Sequence, residues 1–185
     1  LTMDQARAIE AHFTSRQNIA NDYDGNAASD LAVYQTGAGK WFIRALGGSA
    51  IAFNVNWGYG DCVPVPGDYD GDGINDLAVF HPPSGKWYIY SLSGSVLAFG
   101  LDWGFSGCVA VPGDYDGDGI SDLAVYYPAG GKWYIRKLNP LSVLAFGTDW
   151  GFPGTEAVAG DYDGDGVSDL AVYYPAGGKW YIRKL

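Results

Sequence analysis

Sulfur-containing and histidine side chains are scarce in this sequence. It has two cysteines, one methionine and two histidines in 185 residues. Two cysteines are too few for a small domain held together by disulfides. Neither His12 nor His81 lies in a repeated motif, and no Ser-His-Asp spacing, phosphate-binding glycine loop or thiol–imidazole pair is recognisable. The sequence therefore predicts a protein that is not an enzyme.

Long hydrophobic runs and positive charge are also missing. No apolar stretch approaches the roughly 18 residues that a transmembrane helix needs. Lys and Arg number 11 against 21 Asp and Glu, and this net charge of −10 argues against nucleic acid and anionic membranes as partners. The chain begins at Leu1 without a signal peptide, as expected of a processed mature chain or of a fragment.

What the sequence does have is apolar and turn-forming residues. Hydrophobic residues make up 48% and aromatic residues 16%, which is enough to bury a core. The 28 glycines and 9 prolines are typical of a chain with many turns and are too many for a helical protein.

An internal repeat dominates the sequence. Residues 114–138 recur as residues 161–185 with isoleucine replaced by valine at one position, an earlier copy begins at Asp68, and a degraded copy begins at Asp22. The copies start 46, 46 and 47 residues apart, a period typical of propeller blades or stacked β-units. The repeat units are about 18–60 (unit 1), 61–106 (unit 2), 107–153 (unit 3) and 154–185 (unit 4).

Four short strands are predicted in each unit. In unit 3 a short apolar segment at Val109–Val111 precedes an acidic loop, and strands follow at Leu123–Tyr127, at Trp133–Leu138 and around Val143–Phe146. These strands are apolar on both faces, so each sheet is expected to be covered on both sides. The sequence predicts an all-β fold of tandem four-stranded blades of the β-propeller type, in four units of which the last, ending at Leu185, is incomplete.

The first residues differ from the repeats. A capping box at residues 2–5 and apolar residues at helical spacing predict a short amphipathic helix over about residues 2–14. The N-terminal segment 1–17 is thus separated from the repeat domain 18–185. Its helix is interpreted as a cap on the end of the array, with a docking element for another subunit as the alternative.

Fifteen of the 21 acidic residues lie in four loops of the pattern D-x-D-G-D-G-x-x-D. Carboxylates at positions 1, 3 and 5 converge when the chain coils tightly, glycine at position 6 permits the sharp turn, the carbonyl at position 7 adds an oxygen, and Asp at position 9 closes the shell. An oxygen-only, flexible site suits Ca²⁺ better than Mg²⁺ or Zn²⁺. The predicted Ca²⁺ ligands are Asp68, Asp70, Asp72, Ile74 and Asp76 in loop 2; Asp114, Asp116, Asp118, Ile120 and Asp122 in loop 3; and Asp161, Asp163, Asp165, Val167 and Asp169 in loop 4.

Loop 1 predicts a weaker fourth site. Asp22, Asp24 and Asp30 keep their positions, but Asn26 stands at position 5 and Ala27 at position 6. An asparagine oxygen can still bind calcium, whereas alanine is disfavoured at a position that needs a positive φ. Partial and absent occupancy both remain open for this loop.

An EF-hand is the competing interpretation of such loops. It requires a bidentate glutamate at loop position 12, on a helix that leaves the loop. Position 12 is Val79, Val125 or Val172 here, in segments predicted to be strands. The EF-hand interpretation therefore fails, and three loops with identical Asp spacing also argue against simple turns.

Together these motifs resemble the FG-GAP or VCBS-type repeats of bacterial extracellular proteins, which are similar to the calcium-bearing blades of integrin α-chain β-propellers. The matching segments are VPGDYDGDG at 65–73 and 111–119, AFG at 98–100 and 145–147, and the DLAV and GKWYI strands. The resemblance covers about residues 18–185. It implies a β-propeller with calcium in the loop between strands one and two of each blade, and a role in adhesion, ligand binding or surface architecture.

Such propellers commonly close with more than four blades. An open array leaves an unpaired strand edge and an uncovered face, which invite pairing with another chain. Either the chain is a piece of a longer protein, or copies complete one another in a dimer or a filament. The predicted function is an extracellular, secreted or cell-surface structural or adhesion module that binds calcium and assembles with itself or with a surface partner.

Two further sets of residues recur with the repeat. Cys62 and Cys108 share one repeat position, which favours a disulfide between adjacent units over two buried free thiols and leaves both alternatives open. The tryptophans Trp41, Trp87, Trp133 and Trp180 lie in the GKW strands, and Trp57, Trp103 and Trp150 lie in WG turns. The GKW set is predicted to be core. The WG set, with Tyr59, Phe105 and Phe152, is interpreted as structural, and a glycan-binding, lectin-like propeller is the alternative function.

Overall fold

A computed structural model of the chain describes residues 21–185, and these residues form an all-β array. Their strands make four small antiparallel sheets, one within each predicted unit. Sheets 2 and 3 have four strands, sheets 1 and 4 have three, and no sheet of this part closes into a barrel. The predicted fold of tandem blades is confirmed, while the helix predicted over residues 2–14 and the segment 1–17 lie outside the described residues.

The strands are short and follow one another in a simple meander. Sheet 1 contains β1 (Leu31–Gln35), β2 (Lys40–Arg44) and β3 (Ala50–Asn56). Sheet 2 contains β4 (Val63–Pro64), β5 (Leu77–His81), β6 (Lys86–Tyr90) and β7 (Val96–Asp102). Sheet 3 contains β8 (Val109–Ala110), β9 (Leu123–Tyr127), β10 (Lys132–Lys137) and β11 (Ser142–Asp149). Sheet 4 contains β12 (Glu156–Ala157), β13 (Leu170–Tyr174) and β14 (Lys179–Arg183), and single 3₁₀ turns lie at Thr36–Ala38 and Pro175–Gly177.

The acidic loops of sheets 2 to 4 join the first and second strands, and loop 1 directly precedes β1. Loop 2 connects β4 to β5, and Val63 pairs with Phe80 across these two strands. Loops 3 and 4 connect β8 to β9 and β12 to β13 in the same way. The loop therefore lies where the resemblance to propeller blades implied.

A tryptophan side chain donates a hydrogen bond to the end of the outer strand in sheets 1 to 3. In sheets 1 to 3 the N–H of the GKW tryptophan donates to the carbonyl of the WG-turn tryptophan. The pairs are Trp41 to Trp57 at 2.8 Å, Trp87 to Trp103 at 2.7 Å and Trp133 to Trp150 at 2.8 Å. Because a buried indole N–H needs an acceptor, this bond fixes where the outer strand ends.

The sheets stack face to face, which explains why their strands are apolar on both sides. We call the face that carries the GKWYI tryptophan and isoleucine the forward face, and the face that carries the leucine and valine of DLAV the back face. Trp87 and Ile89 on the forward face of unit 2 pack with Leu123 and Val125 on the back face of unit 3. The same contact joins units 1 and 2 and units 3 and 4. Full burial of each such aliphatic side chain contributes about 1.5–3 kcal/mol.

The GKW tryptophans confirm their predicted place in the core in three of four units. Trp41, Trp87 and Trp133 are at most 1% exposed, because the back face of the next unit covers them. Trp180 is 55% exposed. Among residues 21–185 no unit follows unit 4 to cover it.

The disulfide favoured from the sequence is wrong. Cys62 and Cys108 are free thiols, and both are buried. Cys62 belongs to the cluster between units 1 and 2, and Cys108 belongs to the cluster between units 2 and 3. A shared repeat position places the two thiols in successive interfaces, with sheet 2 between them.

We expect both thiols to be unreactive in the folded protein. Burial raises the pKa of Cys62 and of Cys108, so neither forms a ready thiolate. Ellman's reagent should detect two thiols per chain only after unfolding in denaturant, with or without prior reduction. Rapid reaction of either thiol in the native protein, or no thiol after unfolding without reductant, would contradict this assignment.

Candidate metal centres

The first Asp of each loop accepts hydrogen bonds from backbone N–H groups of the same loop. Asp68 accepts the N–H of Gly71 on Oδ1 at 2.6 Å and the N–H of Gly73 on Oδ2 at 2.8 Å. Gly73 has φ of +87°, in the left-handed region that favours glycine, and its equivalents in loops 3 and 4 are at +84° and +89°. The positive φ predicted for loop position 6 is confirmed.

The last Asp closes the loop. Asp76 accepts the N–H of Tyr69 on Oδ2 at 2.8 Å, while its own N–H donates to the carbonyl of Gly67 at 2.7 Å. The corresponding bonds recur in loops 1, 3 and 4. Asp76 is 1% exposed, so its carboxylate is held at the base of the loop and away from bulk water.

Three carboxylates converge in each loop. Positions 1, 3 and 9 each offer one oxygen, and these oxygens lie within 4.8 Å of one another. Two oxygens that each lie about 2.3–2.6 Å from one Ca²⁺ ion can be at most about 4.6–5.2 Å apart, so the spacing suits a single ion. The groups are Asp22, Asp24 and Asp30; Asp68, Asp70 and Asp76; Asp114, Asp116 and Asp122; and Asp161, Asp163 and Asp169.

Position 5 is not part of these groups. Asp72, Asp118 and Asp165 each use Oδ1 to accept the N–H of the residue at position 7, at 2.8–2.9 Å. In loop 1, Asn26 accepts the N–H of Ala28 in the same way at 2.8 Å. Ligation through position 5, and through the carbonyls of Ile74, Ile120 and Val167 at position 7, stays a prediction.

The carboxylate at position 9 lies in an environment that disfavours its charge. Burial first, and the neighbouring carboxylates of each loop second, raise the pKa of Asp76 and that of Asp122 to about 7, against the lowering effect of one backbone hydrogen bond. In loop 4 the Oδ1 atom of Asp169 is buried and has no hydrogen-bond partner among the described residues. Buried anionic oxygens require a cation or a donor, and a bound metal ion would satisfy both needs. The residues present therefore fit a metal site.

Two lysines that sequence reasoning missed enter loops 3 and 4. Lys137 lies 2.6 Å from Asp116 and 2.5 Å from Asp118, and Lys184 lies 2.8 Å from Asp163 and 2.6 Å from Asp165. Although burial opposes it, the Lys137 hydrogen bond lowers the pKa of the Asp118 carboxyl. An alignment of the repeats could have drawn attention to these lysines, because units 1 and 2 have Ala45 and Ser91 at the equivalent position.

Loop 1 keeps the geometry of the others despite its substitutions. Ala27 has φ of +65° and donates its N–H to Asp22 Oδ2 at 2.9 Å. An L-residue in this conformation costs about 1–2 kcal/mol, which glycine avoids. The strain predicted for alanine at position 6 is therefore present in the folded loop.

The WG-turn tryptophans contact the following unit. Trp57 packs against Tyr90 with ring centroids 5.1 Å apart, and the guanidinium of Arg136 lies 5.0 Å from the Trp103 ring centroid. Arg183 lies 5.9 Å from the ring centroid of Trp150. Tyr59, Phe105 and Phe152 pack edge-on against a tyrosine of the following unit. These contacts between units favour the structural interpretation of this set.

We expect Ala27→Gly to raise the free energy of unfolding by about 1 kcal/mol, because it removes the left-handed strain. Gly73→Ala is the matched reverse change, since a Cβ there has no heavy atom within 4 Å and the cost is confined to the backbone at φ of +87°. Urea unfolding in EGTA measures both variants. A loss of stability in Ala27→Gly would show that loop 1 does not adopt this conformation.

Comparison with known proteins agrees with the repeat found here. Residues 114–172, which include loop 3 and loop 4, match the family model of the FG-GAP-like repeat. Neither the curated proteins nor the solved structures contain a significant match to the chain. Among residues 21–185 no helix is long and apolar enough to cross a membrane. The chain thus carries an FG-GAP-like repeat at residues 114–172, and the FG-GAP part of the resemblance drawn from its motifs is confirmed.

Proposed function

We propose that this chain is a calcium-binding structural or adhesion module, secreted or held at the cell surface, that assembles with itself through its ends and is not an enzyme. The observation that carries the proposal is the gathering of three carboxylates in each of four loops, with a buried Asp at position 9. An oxygen-only set of this kind suits Ca²⁺.

Calcium would act on the contacts between units as well as on single loops. The carbonyl of Asp68 accepts the N–H of Ser121 from the next loop at 2.7 Å. Asn75 donates to the carbonyl of Asp22 at 2.7 Å, and Ser168 donates to that of Asp114 at 2.6 Å. Each bond joins a first-position Asp to position 8 of the following loop, so an ordered loop holds its neighbour in place.

The calcium affinity typical of extracellular modules supports the proposed extracellular location. Extracellular calcium modules bind with Kd of about 10⁻⁴–10⁻³ M, in the range of the calcium that surrounds them. At calcium concentrations of one to ten times Kd, each site adds about 0.4–1.4 kcal/mol to the free energy of unfolding. Several such sites along one array would make its rigidity depend on calcium.

A glycan-binding propeller is the alternative, and we do not favour it. Its candidate platforms are the WG-turn tryptophans, whose rings are already in contact with Tyr90, Arg136 and Arg183 of the following units. Sugar stacking would need an indole face that is free to receive the ligand.

The four loops are not equivalent under this proposal. Lys137 and Lys184 provide a positive charge to loops 3 and 4 in the absence of metal, while Ala45 and Ser91 provide none to loops 1 and 2. A calcium ion entering loop 3 or loop 4 competes with an ammonium group for the carboxylate at position 3. Loop 2 has the full set of acidic residues and no such competitor, so it is expected to bind most tightly.

Asp76→Asn tests the role of the buried carboxylate. Because the pKa of Asp76 is raised to about 7, its contribution to metal-free stability is present at low pH and is lost as the pH rises through about 7. The variant removes this charge and keeps an oxygen that can accept the Tyr69 N–H. We expect it to unfold at a higher temperature than wild type in EGTA at alkaline pH, and to gain less from calcium, as scanning calorimetry can measure.

Asp102→Asn is the control for this variant. Asp102 is an exposed carboxylate on β7 that pairs with Lys86 at 2.6 Å, outside the loops. Its loss should leave the stabilisation by calcium unchanged. If calcium does not stabilise the wild type, or if Asp76→Asn lowers stability equally with and without calcium, the proposed metal-binding role is wrong.

The double variant Lys137→Ala/Lys184→Ala tests the competition within loops 3 and 4. We expect its two weaker sites to bind calcium roughly fivefold more tightly, the size of effect that a partly exposed ion pair supports. Lys86→Ala/Lys132→Ala is the matched control, because these lysines pair with Asp102 and Asp149 on outer strands. Titration calorimetry measures both, and unchanged or weaker binding in the first variant would contradict the competition.

A further inference from the structure

The contact between neighbouring units is built three times from the same two halves. One half is the forward face together with the tyrosine at position 2 of the loop. In unit 2 this half consists of Tyr69, Trp87 and Ile89. The other half is the back face, formed by Leu123 and Val125 in unit 3. All five side chains are at most 2% exposed, so each half covers the other.

Unit 4 presents a forward face with nothing on it in the described part of the chain. Tyr162, Trp180 and Ile182 are 46%, 55% and 44% exposed. The rings of Tyr162 and Trp180 nevertheless lie 6.4 Å apart at 64°, close to the 6.5 Å and 69° of the covered pair in unit 2. The exposed face therefore already has the arrangement of a covered one.

Unit 1 presents the complementary back face. Leu31 is 59% exposed and Val33 is 61% exposed, whereas Leu77 and Val79 at the same positions of unit 2 are fully buried. Within residues 21–185, the two ends of the array thus expose the two halves of the contact that is used at every internal junction.

The loops give the same result independently of the sheets. A Cβ built on Gly71 would lie 3.1 Å from Ile120 of the next loop, and one on Gly117 would lie 3.1 Å from Val167. At Gly164, the equivalent in loop 4, no heavy atom lies within 4 Å. The loop part of the junction is therefore also open at the forward end.

We propose that the forward face of unit 4 docks onto the back face of unit 1 of a second copy, head to tail, and that two copies close into a ring of eight blades. The second copy is the partner because it carries the matching half in the geometry of the internal junctions. Propellers are typically built of four to eight blades, so two copies of four reach a known size. A head-to-tail contact of this kind closes into a ring when the rotation per unit permits.

This inference rests on the self-assembly in the proposed function and specifies its surface, partner and direction. Its contact can be disrupted without changing any carboxylate of the calcium sites. The two are separable, because Trp180 and Leu31 lie on the sheets and outside the carboxylate groups.

Two single variants test the contact by complementation. Trp180→Asp places a charge on the forward face and Leu31→Asp places one on the back face. Wild type should have twice the 19.8-kDa mass of the chain in sedimentation equilibrium, and each variant alone should have the mass of one chain. An equimolar mixture should regain a two-chain species, because Leu31→Asp keeps a forward face that fits the back face of Trp180→Asp.

Leu141→Asp is the matched control for exposed leucine. Leu141 is 61% exposed, close to the 59% of Leu31, and it lies in the turn between β10 and β11 of unit 3, away from both ends of the array. This variant should assemble like wild type. Circular dichroism and the unfolding transition establish that all three variants remain folded.

Several results would overturn the inference. A monomeric wild type, self-association of folded Leu31→Asp alone through two forward faces, or a mixture that stays monomeric each excludes the head-to-tail contact. A wild-type mass beyond two copies excludes the closed ring.

Calcium titration of Trp180→Asp separates this inference from the metal-binding function. We expect the variant to bind calcium without assembling. Assembly of wild type without any calcium binding would leave this inference standing, while the metal-binding function would fail.

Discussion

The packing of a tryptophan–isoleucine face on a leucine–valine face is the contact on which the rest of the structure depends. Each sheet has only three or four short strands and is too small to bury its own apolar residues. Stacking removes both faces from water, as at Leu77 and Val79 on one side of sheet 2 and at Phe80 and Trp87 on the other, all fully buried. Such a unit gains its stability from its neighbours, which is the general energetics of repeat proteins.

The acidic loops depend on this stacking for their position. Because every loop leads into the DLAV strand of its sheet, stacked sheets bring successive loops side by side. The bond from Ser121 to the carbonyl of Asp68 and the packing of Ile120 against Gly71 then connect one loop to the next. A carboxylate such as Asp76 is buried by this arrangement, and burial makes its charge unfavourable without a cation. The same packing that stabilises the fold thus makes a cation favourable beside these carboxylates.

The sequence predicted features whose causes lie within a few residues, and it failed where contacts join residues far apart along the chain. Strand β9 has the predicted bounds, and Gly73 has the predicted positive φ, because the causes of both lie within a few residues. The disulfide between Cys62 and Cys108 was wrong because an equal repeat position does not place two residues in one interface. The lysine contacts of loops 3 and 4 escaped notice because strand register brings β10 back to a loop about 20 residues earlier. Ligation through position 5, where Asp72 Oδ1 accepts a backbone N–H, stays a prediction.

Tyrosine at position 2 connects the metal centre to the end of the array. In loop 4 the N–H of Tyr162 donates to Asp169 Oδ2 at 3.0 Å, and the ring of the same residue lies against Trp180 on the forward face. An ion held by Asp169 would fix the backbone of Tyr162 and with it one edge of the docking surface. A partner seated on that surface would in turn bury Tyr162 and shield the loop from water, which strengthens the attraction between the carboxylates and a cation. Under the two proposals, metal binding and docking would favour each other through Tyr162, in the reciprocal manner that linkage requires.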